Sequence, residues 1–191
     1  IIIFLIISHN PEEHIDSKPK KISIAKSVVL GNPNAKITIT EFTDFQWPYC
    51  AESVSLIDKI LKNYPNDVKV VVKHSPLSFH KEAYKAAQYA LAAHEQGKYK
   101  EMSNAIFADY KKLKTNEDWP LEIAESLNLN MEKFIKDSKD DKIKTQIDNE
   151  IRQLKKGFER VSVPKFLIQG VLTPLDKLEA SIDSILKSIT K

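Results

Sequence analysis

Two β-branched stretches in the first half of the chain predict neighbouring strands of a sheet. In residues 36–42 (KITITEF), isoleucine alternates with threonine, which is the period of a pleated strand. In residues 68–73 (VKVVVK) the valine run is continuous, as in a strand covered on both faces. A predicted helix from Pro48 to about Asn63 separates the two, so we expect a right-handed crossover between parallel strands.

The middle of the chain predicts helices only. Apolar residues recur at helical spacing, and Gly97 is placed to end one helix at its C′ position. Asn116 and Asn130 are expected as N-caps. The predicted helices span residues 82–95, 99–110, 116–126, 130–135 and 138–154.

The two ends of this helical stretch are flanked by strand patterns. Residues 22–29 (ISIAKSVV) predict a first strand, followed by a turn at 31–34, and residues 163–168 (VPKFLI) predict a late strand. An amphipathic pattern over residues 175–189 predicts a closing helix. The chain is therefore expected to be α/β, with a helical stretch interrupting the sheet.

Composition excludes several functions. The 191 residues carry a net charge of +3 with both signs interspersed, and lysine far outnumbers arginine, so nothing favours nucleic-acid binding. Four glycines form no phosphate-binding loop. One cysteine and histidines without metal spacing predict no zinc site, and no cofactor is expected. The histidines considered are His9, His14, His74, His80 and His94.

The first residues predict export. Residues 1–8 (IIIFLIIS) are apolar but too few to span a bilayer, and a polar, proline-containing stretch to residue 21 follows. We interpret 1–21 as the remnant of a signal peptide or membrane anchor followed by a tether. The alternative is a buried strand at residues 1–7. The lysine run at 18–21 could contact anionic lipid if the chain is tethered.

A thiol lies at the predicted strand-to-helix junction. Pro48 suits the first helical position, which makes Trp47 the N-cap and puts Cys50 in the first turn. A helix N-terminus favours thiolate over thiol. The run EFTDFQWPYC resembles the EFSDFQCPYC-type segment of DsbA-like thiol–disulfide oxidoreductases, whose thioredoxin fold carries an inserted helical domain.

The resemblance extends from Val28 to the end of the chain, through AAHEQGKYKEMSNAIF and LNLNMEKFIKD. It implies a thioredoxin-like domain formed by residues 22–76 and 157–191, with a helical insertion domain at 77–156. The insertion is expected to cap the active-site end of the sheet. Cysteine-containing or unfolded client proteins and a redox partner protein are the partners that it implies.

The same resemblance implies roles for individual residues. Trp47, with Pro48 and Tyr49, occupies the active-site segment at the place of the family's nucleophilic cysteine. Cys50 matches the resolving thiol, and Glu41 matches a buried acid near its sulfur. Val163-Pro164 matches the cis-proline segment that faces the active-site helix.

One departure changes the expected chemistry. Disulfide exchange needs an attacking thiolate and a second thiol, and the indole of Trp47 supplies neither. We therefore expect dithiol activity to be impaired or lost. The alternatives are residual one-cysteine chemistry at Cys50, or a non-catalytic peptide-binding module that uses a Trp47–Pro164 groove.

The candidate residues also have structural interpretations. Cys50 could be a buried, inert thiol, and Glu41 could lie partly solvated at the end of the sheet. Trp47 could simply fill the vacated site. Glu159 and Ser162 replace glycines that the family usually carries before the proline, and the following turn looks shortened, which changes the border of the substrate groove.

Overall fold

The computed structural model describes residues 18–189, and they form one five-stranded mixed sheet with helices around it. The predicted signal or anchor, most of the tether, and His9 and His14 lie outside the described residues. The strand order is β1-β3-β2-β4-β5. The strands are β1 (Val28–Gly31), β2 (Ile37–Thr43), β3 (Val68–His74), β4 (Lys165–Ile168) and β5 (Val171–Leu172).

The two central strands lie side by side, as the sequence predicts. β2 and β3 are parallel and in register from Ile37 opposite Val68 to Thr43 opposite His74. β4 runs antiparallel on the other side of β2, and β1 runs antiparallel to β3. This α/β arrangement is the predicted thioredoxin-like fold.

The outer strands are shorter than predicted. β1 begins at Val28 rather than at residue 22, and Lys26 has a φ of 59°, which interrupts any extended strand before it. β4 begins at Lys165 rather than at Val163, because Pro164 has no N–H to donate to a ladder. The β4–β5 turn consists of Gln169 and Gly170, both at positive φ, so the connection is as short as the sequence suggests.

The helices are α1 (Pro48–Asn63), α2 (Ala83–His94), α3 (Tyr99–Ala108), α4 (Trp119–Ser126), α5 (Met131–Ser138), α6 (Asp141–Gly157) and α7 (Leu178–Ile189). Helix α1 connects β2 to β3, helices α2 to α6 lie between β3 and β4, and α7 follows β5. Short 3₁₀ turns occupy Tyr110–Lys114 and Leu175–Lys177. The placement of these elements agrees with a helical insertion, whose domain boundaries at 77 and 156 stay a prediction.

Two helix starts differ from the prediction because another residue caps the helix. The N-cap of α4 is Asp118, and the Asn116 side chain instead accepts the N–H of Asp118 at 3.2 Å. The N-cap of α6 is Asp140, whose carboxylate accepts the N–H of Lys142 at 2.8 Å, so the helix begins at residue 141 and not at 138.

Two predicted helix ends are confirmed. The Asn130 side chain accepts the N–H of Lys133 at 2.9 Å and caps α5. Gly97 ends α2 with a φ of 71°, and the Lys98 N–H returns to the carbonyl of Ala93. That pattern is the Schellman motif, in which glycine takes the left-handed C′ position.

A buried polar link ties the helical stretch to the sheet. Glu150 of α6 accepts both the backbone N–H (2.7 Å) and ring Nδ1 (2.9 Å) of His74, the last residue of β3. Nε2 of His74 lies 2.9 Å from the hydroxyl of Tyr99, the first residue of α3. These three side chains are buried, so the link fixes α3 and α6 near the end of the sheet where β2 enters α1. Within residues 18–189, no helix combines the length and apolar character needed to cross a membrane.

Candidate active site

The junction between β2 and α1 has the predicted geometry. β2 ends at Thr43, and α1 begins at Pro48 with Trp47 as its N-cap residue in an extended conformation. The N–H of Cys50 returns to the carbonyl of Trp47 at 3.1 Å, which places the thiol in the first turn. Trp47 and Cys50 therefore lie three residues apart at the start of α1, as the sequence predicts.

The loop before the helix is organised around the buried carboxylate of Asp44. Its Oδ1 accepts the N–H of Gln46 at 2.7 Å, and its Oδ2 accepts the N–H of Leu77 at 2.8 Å. Nδ1 of His80 lies 2.7 Å from the same Oδ2. Because three donors surround one carboxylate, the loop and the connector after β3 are held together.

A second pair of contacts reinforces this connection. The side chain of Gln46 donates to a carboxylate oxygen of Glu82 at 2.7 Å and accepts the N–H of Glu82 at 2.9 Å. The loop is thus bonded to the start of α2 as well as to the connector. A closely held active-site loop of this kind presents the N-cap side chain in one position.

The Cys50 thiol is buried rather than presented to solvent. Its residue is 0% exposed, although it lies in the first turn of a helix. Burial raises the pKa of the thiol far above its usual range, and the hydrogen bond from Asp44 and the neighbouring Thr43 only partly oppose this shift. Desolvation therefore outweighs the helix terminus, and the structure agrees with the interpretation of Cys50 as a buried thiol.

Glu41 is a buried acid beside the same helix turn. It is 7% exposed, so the alternative of a partly solvated side chain is wrong. The Ser53 hydroxyl lies 3.3 Å from Oε1 of Glu41 and 2.7 Å from the carbonyl oxygen of Cys50, and its single proton cannot serve both. Desolvation raises the pKa of Glu41 to about 7, while the Ser53 contact lowers it.

A small cavity adjoins Glu41. Its volume is about 30 Å³, and Thr43, Tyr99 and Ser103 contribute to its lining. A cavity of that size has room for one water molecule. Its lining is mixed, because Val54, Ile57 and Phe107 lie beside the polar groups.

Trp47 is half-buried and belongs to an aromatic cluster that we define as Trp47, Tyr49, Phe79 and His80. The indole centroid lies 5.6 Å from Tyr49, 6.3 Å from Phe79 and 5.4 Å from His80. Tyr49 is 58% exposed and Phe79 is 66% exposed. Trp47 thus packs against three other rings and at the same time forms part of an exposed aromatic surface.

The Val163–Pro164 peptide bond is cis, as the family resemblance implies. Val163 itself is buried at 6% exposure, and β4 starts two residues later. The recorded ring contacts of Trp47 are with the aromatic cluster, so a groove between Trp47 and Pro164 stays a prediction.

Sequence reasoning missed two polar partners near the site. The pairing of Asp44 with His80 joins residues 36 positions apart and leaves no local signal. Glu150 did leave one, because it occupies the buried face of α6 together with Ile147 and Leu154. A carboxylate on an apolar helix face indicates a buried partner, here His74.

Comparison with known proteins agrees with this fold. The family model described as Thioredoxin matches residues 23–187. A thioredoxin-like oxidoreductase from Silicibacter pomeroyi DSS-3 superimposes with a TM-score of 0.71 at 28% identity, covering 84% of this chain and 92% of that one. BdbD from Bacillus subtilis gives a TM-score of 0.74 at 20% identity, covering 90% and 99%.

A curated relative matches over a shorter region. The Na⁺/H⁺ antiporter NhaA 3 of Salinispora tropica is 35% identical over 107 residues, which are 56% of this chain and 16% of that protein. The chain therefore spans less than a fifth of the length of this relative.

These findings define a thioredoxin-like protein with a helical insertion, the fold of DsbA-like thiol–disulfide oxidoreductases. The chain belongs to the thioredoxin family described by the matching model.

Proposed function

We propose that this protein is an exported DsbA-like protein that has lost dithiol exchange. One observation carries the proposal: the single cysteine of the sequence, Cys50, is fully buried, and Trp47 stands at the helix N-cap, where the family resemblance puts the nucleophilic cysteine. A mixed disulfide cannot form on an indole, and a thiol of strongly raised pKa supplies little thiolate to attack a client.

Insulin reduction by a dithiol reductant tests this proposal. We expect no acceleration by the wild-type protein and measurable acceleration by Trp47→Cys, because that change restores a C-P-Y-C motif. The double variant Trp47→Cys/Cys50→Ser is the matched control and should release mixed disulfides slowly. Turnover by the wild type at the rate of Trp47→Cys would overturn the proposal.

Residual one-cysteine chemistry at Cys50 is the weaker alternative. A monothiol must reach its partner's disulfide, and burial both hides this sulfur and disfavours its thiolate.

Peptide binding is a second candidate function, favoured by the exposed aromatic cluster. Large, rigid aromatic side chains contribute contact area at low conformational-entropy cost. Unfolded or cysteine-containing clients are the proposed partners, alongside a redox partner protein if exchange is restored. In a Trp119→Phe background, Trp47 is the remaining indole, and its fluorescence should change on titration with unfolded peptides. Trp47→Ala in the same background contains no indole and serves as the blank. A Trp119→Phe emission spectrum that peptide does not change, after subtraction of that blank, would contradict this candidate.

An extracytoplasmic location, with or without a membrane tether, is proposed from the apolar stretch at residues 1–8 and the polar stretch after it. Fractionation of cells that express the gene with its complete upstream sequence tests this, and protein confined to the cytosol would contradict it.

We do not propose that this chain carries out the Na⁺/H⁺ antiport named for the curated relative, because the match covers 16% of that protein.

A further inference from the structure

A wide cleft lies between residues 21–27, the end of α2 and helix α6. Its volume is about 1210 Å³, and its lining includes neither Glu41, Trp47 nor Cys50. Pockets that bind small organic molecules commonly measure about 300–1,000 Å³. The cleft is therefore large enough for such a ligand and separate from the site described above.

The charges around this cleft are unequal. Among its carboxylates, Asp141 pairs with Lys144 at 2.9 Å, and Glu150 is bonded to His74, which leaves Glu95. Across residues 18–189, the basic side chains of the cleft have no carboxylate within ion-pair distance. These basic residues are Lys21, Lys26, Lys73, Lys142, Arg152 and Lys156.

Lys73 distinguishes the cleft from an ordinary basic surface. It is only 1% exposed, yet it lines the cleft. Its ammonium donates to the carbonyl oxygen of Ser23 and to the hydroxyl of Ser27, and the described residues supply no third acceptor. An ammonium carries three donors, so one remains for a ligand. Desolvation lowers the pKa of Lys73, and the nearby Glu150 opposes that shift.

Gln153 provides an unfilled hydrogen-bond acceptor, beside the unfilled donor on Lys73. It lines the cleft, and its side-chain oxygen is buried without a hydrogen-bond partner among the described residues. A buried acceptor is stabilised by a donor, and a hydroxyl group supplies one. The cleft thus combines an unfilled donor on Lys73 with an unfilled acceptor on Gln153.

We propose that this cleft binds a small hydroxylated organic anion, with the Lys73 ammonium facing its anionic group and Gln153 accepting from its hydroxyl. Arg152, Lys156 and Lys26 lie around the same cleft and attract the anion.

Calorimetric titration of the full chain at low ionic strength tests this proposal, with citrate and glycerol 3-phosphate as probes. We expect saturable binding in the millimolar range or tighter for at least one of them. Tricarballylate has the three carboxylates of citrate without the hydroxyl, and it should bind about tenfold more weakly than citrate where citrate binds. Gln153→Leu should abolish that difference.

Charge variants separate a specific site from general attraction. The triple variant Lys26→Gln/Arg152→Gln/Lys156→Gln should weaken binding about tenfold. The matched control Lys62→Gln/Lys114→Gln/Lys136→Gln removes the same charge from exposed positions outside the cleft and should leave binding unchanged. Lys73→Met should abolish binding, and if that variant does not fold, the two triple variants decide the question.

Two results would overturn the proposal. One is that neither citrate nor glycerol 3-phosphate binds saturably to the wild-type protein. The other is an equal loss of affinity in the cleft triple variant and in its control. Neither result bears on Trp47 or Cys50, so the proposed function would stand or fall separately.

Discussion

Two buried carboxylates lie three residues apart at the end of β2, and their surroundings differ sharply. Asp44 receives two backbone N–H groups and the ring of His80. Within residues 18–189, the side chain of Glu41 has one hydrogen-bond partner, the hydroxyl of Ser53, at 3.3 Å. A buried acid with full hydrogen bonding holds structure together, whereas a buried acid with little hydrogen bonding is kept at a cost in stability. We interpret Asp44 as structural, and under the proposed function we infer that Glu41 is a remnant of redox chemistry.

The largest expected loss of stability follows from substituting Asp44, the carboxylate with more hydrogen bonds. Asp44→Ala leaves two N–H groups and His80 without their acceptor, and removing one side of a buried charged contact costs about 3–5 kcal/mol. Urea unfolding at neutral pH measures the loss. Asp109→Ala, at an exposed aspartate, is the control. A loss no larger than that of the control would mean that Asp44 does not organise the loop.

The next effect concerns the pH dependence that Glu41 should give to stability. Its pKa in the folded protein is about 7, against an ordinary value of 4.5, so the folded state holds this proton more tightly than the unfolded state. The contribution is fully present below pH 4.5 and is lost as the pH rises through about 7. The loss is up to about 3 kcal/mol.

Urea unfolding at a series of pH values checks this, with Glu41→Gln as the matched variant. Glutamine cannot ionise, so the variant should lack this component and should exceed the wild type in stability at alkaline pH. Parallel curves for the two proteins would show that Glu41 titrates normally.

Substitution of Ser53 should have a smaller effect, which is a shift in the pKa of Glu41. Because its contact lowers the pKa of Glu41, Ser53→Ala should raise that pKa further, by at most about one unit for a weak hydrogen bond. The midpoint of the pH-dependent stability component should move upward by the same amount. A downward movement would mean that Ser53 does not stabilise the carboxylate.

The last prediction concerns a reaction that should not occur in the native protein, the alkylation of Cys50. Iodoacetamide should not label the native protein, because the sulfur is buried and its pKa is raised. Labelling should appear only when denaturant opens the structure. Ser55→Cys, at an exposed position of the same helix, is the positive control. Native labelling of the wild type at the rate of that control would favour one-cysteine chemistry at Cys50.

The fold was predictable because its signals are local and periodic. Alternation in residues 36–42, the valine run at 68–73 and Pro48 at a helix start place the central strands and α1 correctly. The helix starts at 116 and 138 were wrong because the N-cap positions are Asp118 and Asp140, two residues further along the chain. Several polar residues could cap those helices, and the pattern alone does not choose among them.

The site was predictable in position but not in its electrostatics. Trp47 and Cys50 lie at the helix start that the sequence predicts, but the sequence left open whether the helix terminus or burial sets the pKa of the thiol, and burial does. Burial of Cys50 depends on side chains from other elements, and the pairing of Asp44 with His80 joins distant parts of the chain. Desolvation is a property of the packed protein, so a short motif does not specify it.

The burial of the only sulfhydryl in the sequence has a practical consequence for spectroscopy. A cysteine engineered at an exposed position would be the sole group that reacts with maleimide dyes or spin labels under native conditions. Distances between the sheet and the inserted helices could then be followed by fluorescence transfer or paramagnetic relaxation without first removing a native residue.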